Sequence, residues 1–479
     1  MKDSQIVGEA LAQVLPKTNK YWFQQPHLLK LNLLLLIPLL SSSVAGYDGS
    51  LMNGLQSLEQ WQTYFGNPRG ATLGLVNAAQ SIGSVLALPF VGVLTDKYGR
   101  KPSLIAGLVT VVVATIVQAT SVKLPQFIIS RAIVGFGGMC AILASWTTFG
   151  CQDYQNDWSW RAPSVLQAGF PIVQLLFIYW VPESPRWLVS KDRTAEATDI
   201  LSQYHAPEQG SGESPLVRYQ LDQIVQTIQQ EKIASSTGWS ALISTSGNRK
   251  RTLIAFLVGF MAQWNGVAVV SYYLTLVLGT IGITETYTQT LINGLLQVFN
   301  FGAALAAAFL VDRLGRRTLF LWAGIGMLIS YIILTACSAV VNQSGSNSAG
   351  IVVIVTLFTF FFHYDISFTP LLFGYPTEIL PFNIRAKGIA VELFGIYGSL
   401  TLLAFVNPIG LENIGWKYYL LFSVLLVVFF VITYFLFPET KGYTLEEISV
   451  LFDGPQPLGH LDKAAAMDAA HNSQHYEAV

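Results

Sequence analysis

Two charges sit inside apolar runs of this 479-residue chain: Asp48 ends one run and Arg131 interrupts another. A charged side chain at the centre of a bilayer costs about 2.5–3.5 kcal/mol on insertion scales, so each needs a partner or a water-filled cavity. An acid and a base meeting there can form a static ion pair. They can equally form a switch, in which protonating Asp48 releases Arg131 and loosens the packing around both. Amides make a second set. Gln263 lies in one apolar run, and Asn293, Gln297 and Asn300 recur at helical spacing in the next. Amides donate and accept at once, which suits a polar ligand and suits hydrogen bonds between helices equally well. His363 and Asp365 share a later run but, two residues apart, fall on different helix faces.

Charged loops make the third set. Asp96, Lys97, Arg100 and Lys101 crowd into a short stretch between two long apolar runs. The pattern returns further on: Asp96 matches Asp312, Gly99 matches Gly315, and Arg100-Lys101 matches Arg316-Arg317, all 216 residues apart. A repeat this wide in a hydrophobic chain implies two similar membrane halves.

The elements that must carry these groups are membrane helices. The chain is 52% hydrophobic and 11% charged, against about 25% charged in an ordinary soluble protein. Apolar spans long enough to cross fall near 31–55, 71–94, 102–121, 162–181, 252–278, 287–311, 318–341, 350–375, 387–410 and 417–437. A further run, 124–150, stands apart. The expected organisation is all-α and polytopic: a transmembrane bundle over 1–181, a cytoplasmic linker with short amphipathic helices over 182–251, and a six-helix transmembrane bundle over 252–452. Residues 453–479 are expected to be a disordered cytoplasmic tail. Placing both charged loops in the cytoplasm leaves only Arg69, Lys123, Arg161 and Lys417 outside, as the distribution of basic residues requires. A net charge of −1 argues against nucleic acid, and Cys140, Cys151 and Cys337 have no metal or disulfide spacing. No nucleophile–base pair suggests an enzyme, and no cofactor is implied.

Further motifs turn the repeat into a resemblance. Pro182-Glu-Ser-Pro-Arg-Trp-Leu188 follows the last span of the first half, and Pro438-Glu-Thr-Lys-Gly442 follows the last span of the second. Tyr375–Gly388, Gly46–Gly54 and Asn413–Tyr418 add to them. Together they resemble the sugar porter family of the major facilitator superfamily, and most of all its fungal hexose and lactose permeases. The resemblance implies two six-helix bundles, a sugar site between them and alternating access, with the bilayer, a sugar and protons as partners and a plasma-membrane location. It implies that Asp48 and Arg131 form the proton-coupling pair. It implies sugar contacts from Gln263, Asn265, Tyr273, Asn293, Gln297, Asn300, Asp365, Phe373 and Tyr397. It also implies a cytoplasmic gate in which Asp96 or Asp312 pairs with arginines of the neighbouring loop. Arg100, Lys101, Glu183, Arg186, Arg316, Arg317, Glu378, Arg385 and Glu439 complete that set. Val267, Ala268, Ile396 and Leu400 stand where the family usually has polar groups, which leaves the sugar open.

The repeat also exposes a loss. Asp96 to Glu183 spans 87 residues, whereas Asp312 to Glu439 spans 127. Nothing in the first half corresponds to Tyr375–Gly388. The run 124–150 begins like the family's fourth helix, at Ser130–Gly138, and ends like its fifth, at Ile142–Gly150, so the first bundle is expected to be incomplete, with 10–11 hydrophobic segments rather than 12. Parity then requires 124–150 to enter and leave on one side, as a re-entrant hairpin breaking near Gly135–Gly138. A sugar transporter is the expected function. A non-transporting sensor, or an inactive splice or gene variant, is the alternative.

Overall fold

The computed structural model describes residues 22–39, 42–135, 142–152, 154, 156–206, 214–235, 238–443, 448 and 451–453. Every regular element among them is helical, as long apolar runs demand: away from water, only a helix satisfies its own backbone. The first half contains α1 (Pro26–Leu39), α2 (Ser42–Ser57), α3 (Glu59–Tyr64), α4 (Gly70–Tyr98), α5 (Arg100–Ala119), α6 (Leu124–Val134), α7 (Ile142–Cys151), α8 (Trp158–Leu166) and α9 (Gly169–Phe177). The linker holds α10 (Pro185–Ser190), α11 (Thr194–His205), α12 (Pro215–Ser235) and α13 (Ala241–Ser244). The second half contains α14 (Ser246–Trp264), α15 (Val267–Thr280), α16 (Thr286–Leu314), α17 (Arg316–Ser344), α18 (Asn347–Ile379), α19 (Phe382–Ile414) and α20 (Tyr419–Leu436).

Eight stretches among the described residues are long and apolar enough to cross a membrane. The last, 383–436, is two helices, because α19 stops at Gly415 and α20 begins after a short 3-10 turn. The expected span at 31–55 is instead two helices, α1 and α2, with Pro38 near the end of α1 removing a backbone donor there. Outward-facing apolar side chains such as Leu86 and Phe435, 60% and 73% exposed, are what a lipid-facing surface presents. The linker has its own small core, where Leu188, Val189, Ala197 and Ile228 are buried with Leu221, Ile224 and Val225 against them. The spacing of apolar residues predicted such helices. The tail beyond Asp453 lies outside the described residues.

The run 124–150 is decisive for the topology. Helices α4 and α16 both end at a charged loop, so Gly70 and Thr286 mark the opposite, far end of the molecule. Helix α6 starts there. Arg161 reaches the carbonyls of Ala119 and Ser121 and the hydroxyl of Tyr64 in α3, at 2.6, 3.4 and 3.1 Å. It runs only to the middle of α4, where Ser84 Oγ donates to the Gly135 carbonyl at 2.6 Å. Helix α7 runs back. Trp146 lies against Gly294 and Phe149 against Tyr287, one step nearer the start of α16. Thr290 then donates to Gln152 at 2.7 Å and Gln60 of α3 to the Tyr154 carbonyl at 3.2 Å. Both ends of the run therefore sit at the far end, as parity requires. At 1.5 Å per residue each helix spans roughly 15 Å, about half of a hydrocarbon core. Residues 136–141, which include most of the expected break, lie outside the described residues.

Candidate functional site

The two charged loops are built alike. Each glycine ends one helix and starts the next with a positive φ, 105° at Gly99 and 93° at Gly315. The helix that follows exposes free N–H groups at its first turn, which attract a carboxylate. Glu183 accepts from the backbone N–H of Arg100 and Lys101, at 3.3 and 3.1 Å. Glu439 accepts from those of Arg316 and Arg317, at 2.8 and 3.1 Å. The second base of each loop turns to the end of its half's last helix: Lys101 Nζ donates to the Tyr179 carbonyl at 2.8 Å, and Arg317 Nη2 to the Tyr434 carbonyl at 2.6 Å. Residue type announced the acids of the Pro-Glu-Ser and Pro-Glu-Thr motifs. It did not announce that their partners are backbone groups of the same half.

The halves differ where the first is short. Arg316 pairs with Glu378 at 3.0 Å, and Thr440 donates to the other oxygen of Glu378. The counterpart of Glu378 belongs to the missing stretch, and the guanidinium of Arg100 is exposed and makes no ion pair among the described residues. Arg385 donates to the Leu380 carbonyl at 3.1 Å, and Arg186 is half-buried after the first-half motif. The expected pairing of Asp96 with arginines is not seen among the described residues. Its side chain is exposed to water, and its carbonyl accepts from Trp187 Nε1 at 3.3 Å. The side chain of Asp312 lies outside the described set. Arg316→Ala should therefore cost about 1.5–3 kcal/mol, the worth of hydrogen bonds to a charged group, while Arg100→Ala should fall within about 0.5 kcal/mol. Thermal unfolding of the two purified variants compares them directly, and equal losses would sink the account.

At the far end the halves are joined by amides. Helix α15 is kinked at Tyr273, whose φ of −136° and ψ of 30° are not helical. A kink releases backbone groups that must find partners elsewhere. Asn53 of α2 donates to the Ser271 carbonyl at 2.5 Å and accepts from the Leu274 N–H at 3.2 Å, while Gln56 donates to the Tyr272 carbonyl at 3.0 Å. Thr286 adds a bond to the Ser57 carbonyl at 3.0 Å. Sequence reading missed Asn53 and Gln56, although amides three apart just after Asp48 were a usable signal. Beyond this closure lies a cavity of about 540 Å³ with a mixed lining, to which Gln62, Arg69, Gln289 and Glu412 contribute polar groups and Leu73, Leu276 and Leu411 apolar ones.

The groups expected to face a ligand sort into two kinds. Asn293 is 3% exposed and neither polar atom has a hydrogen-bond partner among the described residues. The Asn300 oxygen is likewise unpartnered, Gln263 and Gln297 are half-buried, and Asp365 accepts from Thr369 at 2.9 Å while its other oxygen has no partner. Others serve the fold. The Tyr273 hydroxyl donates to the Ala404 carbonyl at 2.5 Å in a fully buried setting, and Asn265 accepts from the Val267 N–H at 2.9 Å at the α14–α15 junction. Phe373 is 43% exposed and Tyr397 half-buried. His363 holds the Thr359 carbonyl at 2.7 Å. Arg131 is fully buried and donates through Nε to the Val76 carbonyl at 2.8 Å. The side chain of Asp48 lies outside the described set, though its helix α2 is described.

This geometry can be set beside known proteins. The family described as sugar (and other) transporter matches residues 34–141 and 138–452. The chain belongs to that family. The two matched stretches meet at 138–141, at the junction where the repeat puts the loss. Among curated relatives of this transporter-family chain, the Aspergillus oryzae MFS-type transporter oryC is 28% identical over 85% of this chain and 82% of its own length. The Saccharomyces cerevisiae sugar transporter STL1 is 27% identical over 89% and 83%. The Kluyveromyces lactis high-affinity glucose transporter is 26% identical over 89% and 86%. Among solved structures, the proton:xylose symporter XylE, bound to 6-bromo-6-deoxy-D-glucose, superposes with a TM-score of 0.68 at 21% identity, covering 88% of this chain and 98% of that one. The fold is that of the major facilitator superfamily, with an incomplete first bundle.

Proposed function

We propose that this multi-pass membrane protein carries a hexose or disaccharide across the plasma membrane by alternating access, in symport with protons. In this reading both charged loops and both termini are cytoplasmic. The observation that carries it is Asn293, a buried amide neither of whose polar atoms has a partner among the described residues. A residue serving as glue between helices would have found a partner, whereas a ligand amide awaits one. Gln263, Gln297, Asn300 and Asp365 join it in this proposal, and Phe373 and Tyr397 supply apolar faces. Asp48 and Arg131 form the proton switch. With the far end held shut by Asn53 and Gln56 and the loop acids engaged within their own halves, this conformer corresponds to a carrier facing the cytoplasm. A second reading, a sensor or inactive variant, is favoured by the shortened α6 and α7.

The test is uptake of labelled sugars by proteoliposomes under an imposed pH gradient. Accumulation is expected, and Asp48→Asn should abolish it while leaving downhill exchange. Undiminished accumulation in that variant removes the proton role. Sugar binding without flux supports the sensor. Gln263→Ala should weaken binding several-fold, as one hydrogen bond worth about 0.5–1.5 kcal/mol would. Asn293→Leu should do the same yet raise thermal stability, because it removes an unsatisfied buried amide. A variant that loses stability instead places Asn293 in the fold rather than the site.

A further inference from the structure

Helix α19 carries a carboxylate that the proposed site does not use. Glu392 is fully buried, and neither of its oxygens has a hydrogen-bond partner among the described residues. It lies at the crossing of α19 with α14, and α19 also packs along α4 of the other half. The crossing is tight: a Cβ at Gly259 would meet the Glu392 carbonyl oxygen at 2.5 Å, and one at Gly395 would meet the Phe256 carbonyl at 2.9 Å. No ordinary side chain fits between the two backbones there.

Charges on the surrounding helices leave Glu392 alone. On α14, Arg249, Lys250 and Arg251 lie about two turns or more away, and Arg251 holds Asp453 at 2.7 Å. On α4, Asp96 and Lys97 are in the last turn. On α18, His363 and Asp365 are bonded to Thr359 and Thr369, and Glu378 holds Arg316. Among its described side chains α12 contributes Arg218 and Asp222, the turn after α19 contributes Lys417, and α13 and α15 carry no carboxylate, lysine, arginine or histidine. Within α19 itself, Arg385 turns to the Leu380 carbonyl, Lys387 stands five residues before Glu392, and Glu412 lies near the far end of the helix. None of them donates to Glu392. A buried carboxylate with no donor among the described residues is not sustained in its ionised form. A metal ion would need several oxygens around it, and no group of three acids, histidines or cysteines among the described residues could hold one. A single proton neutralises the group with no further ligand.

We propose that Glu392 is a proton-binding site of the second half, separate from Asp48. It holds its proton while α19 lies against α14 and releases it when that crossing opens to water. Only the consequence for flux rests on the transport reading; protonation is read without sugar. Infrared spectra of the purified full chain in lipid, at neutral pH in light and heavy water, provide the test. A carboxylic-acid C=O band is expected that Glu392→Gln removes, that Glu392→Asp shifts, and that Asp365→Asn and Asp48→Asn leave in place. An unchanged acid band in folded Glu392→Gln overturns the proposal, and so does loss of a carboxylate band in its stead. If Glu392→Gln does not fold, an unshifted band in Glu392→Asp overturns it. In flux assays Glu392→Gln should lose one ionisation from the pH profile. Absence of flux in every variant strikes the transport reading, while the band still decides the site.

Discussion

Replacing Gly315 by alanine is expected to collapse the yield of folded protein. Its φ of 93° and ψ of 152° lie in a region that is essentially restricted to glycine, where another residue is strained by about 1–3 kcal/mol. The added Cβ would stand 2.7 Å from Glu439 Oε2, so the carboxylate must move. Moving it breaks the bonds to the N–H groups of Arg316 and Arg317, each worth about 1.5–3 kcal/mol with a charged acceptor. The sum exceeds about 3 kcal/mol, a large share of the 5–15 kcal/mol that holds a typical protein folded. Gly99→Ala meets the same geometry, with Glu183 Oε2 at 2.7 Å. It should cost less, because Glu183 bonds its helix at longer distances and Arg100 has no counterpart of the Arg316–Glu378 link. Gly302→Ala, with nothing within 4 Å of the new Cβ, is the control and should be neutral or slightly stabilising. Thermal unfolding in detergent ranks the three. A Gly315→Ala protein that melts with the wild type removes the capping account.

Much of this was legible because membrane chains write their topology in composition. The apolar runs, the two loops and the 40-residue shortfall between Asp96–Glu183 and Asp312–Glu439 are all counts along the sequence, although the runs at 31–55 and 252–278 are each divided between two helices. What stayed hidden depends on which atom meets which. Glu183 and Glu439 look like partners for arginine side chains, yet the free N–H groups of a helix start offer an acid more donors at closer range. Tyr273 sits in a ligand-like segment, but a kink at that residue turns its hydroxyl to the Ala404 carbonyl. The same kink explains Asn53 and Gln56, since amides become necessary only once α15 has released its backbone. Glu392 escaped notice because an acid near the start of a span reads as a boundary charge beside Lys387. Its burial follows from a glycine on a different helix, Gly259, which no count along α19 reveals.

Cysteines placed at Val122 and Tyr154, in a chain freed of Cys140, Cys151 and Cys337, should both react with an impermeant thiol reagent from outside intact cells. Each position is open, at 68% and 53% exposure. A continuous helix over 124–150 would be roughly 40 Å long and would carry Tyr154 to the charged-loop side. Two contacts oppose that: Tyr154 is held by Gln60 and Gln152 by Thr290, and both partners sit at the far end. The difference between the alternatives is all or none. Asp192→Cys, exposed in the linker, serves as the opposite control and should react only after the membrane is opened. The end of α6 brings the carbonyls of its last turn to mid-membrane depth, which is tolerable only where protein shields them. One carbonyl there, that of Gly135, is already taken by Ser84 Oγ. Ser84→Ala should therefore loosen the hairpin, and it should raise labelling at Tyr154→Cys without moving it to the other face. Protection of Tyr154→Cys in intact cells, with Val122→Cys still labelled, would show the run crossing once and strand one basic loop outside.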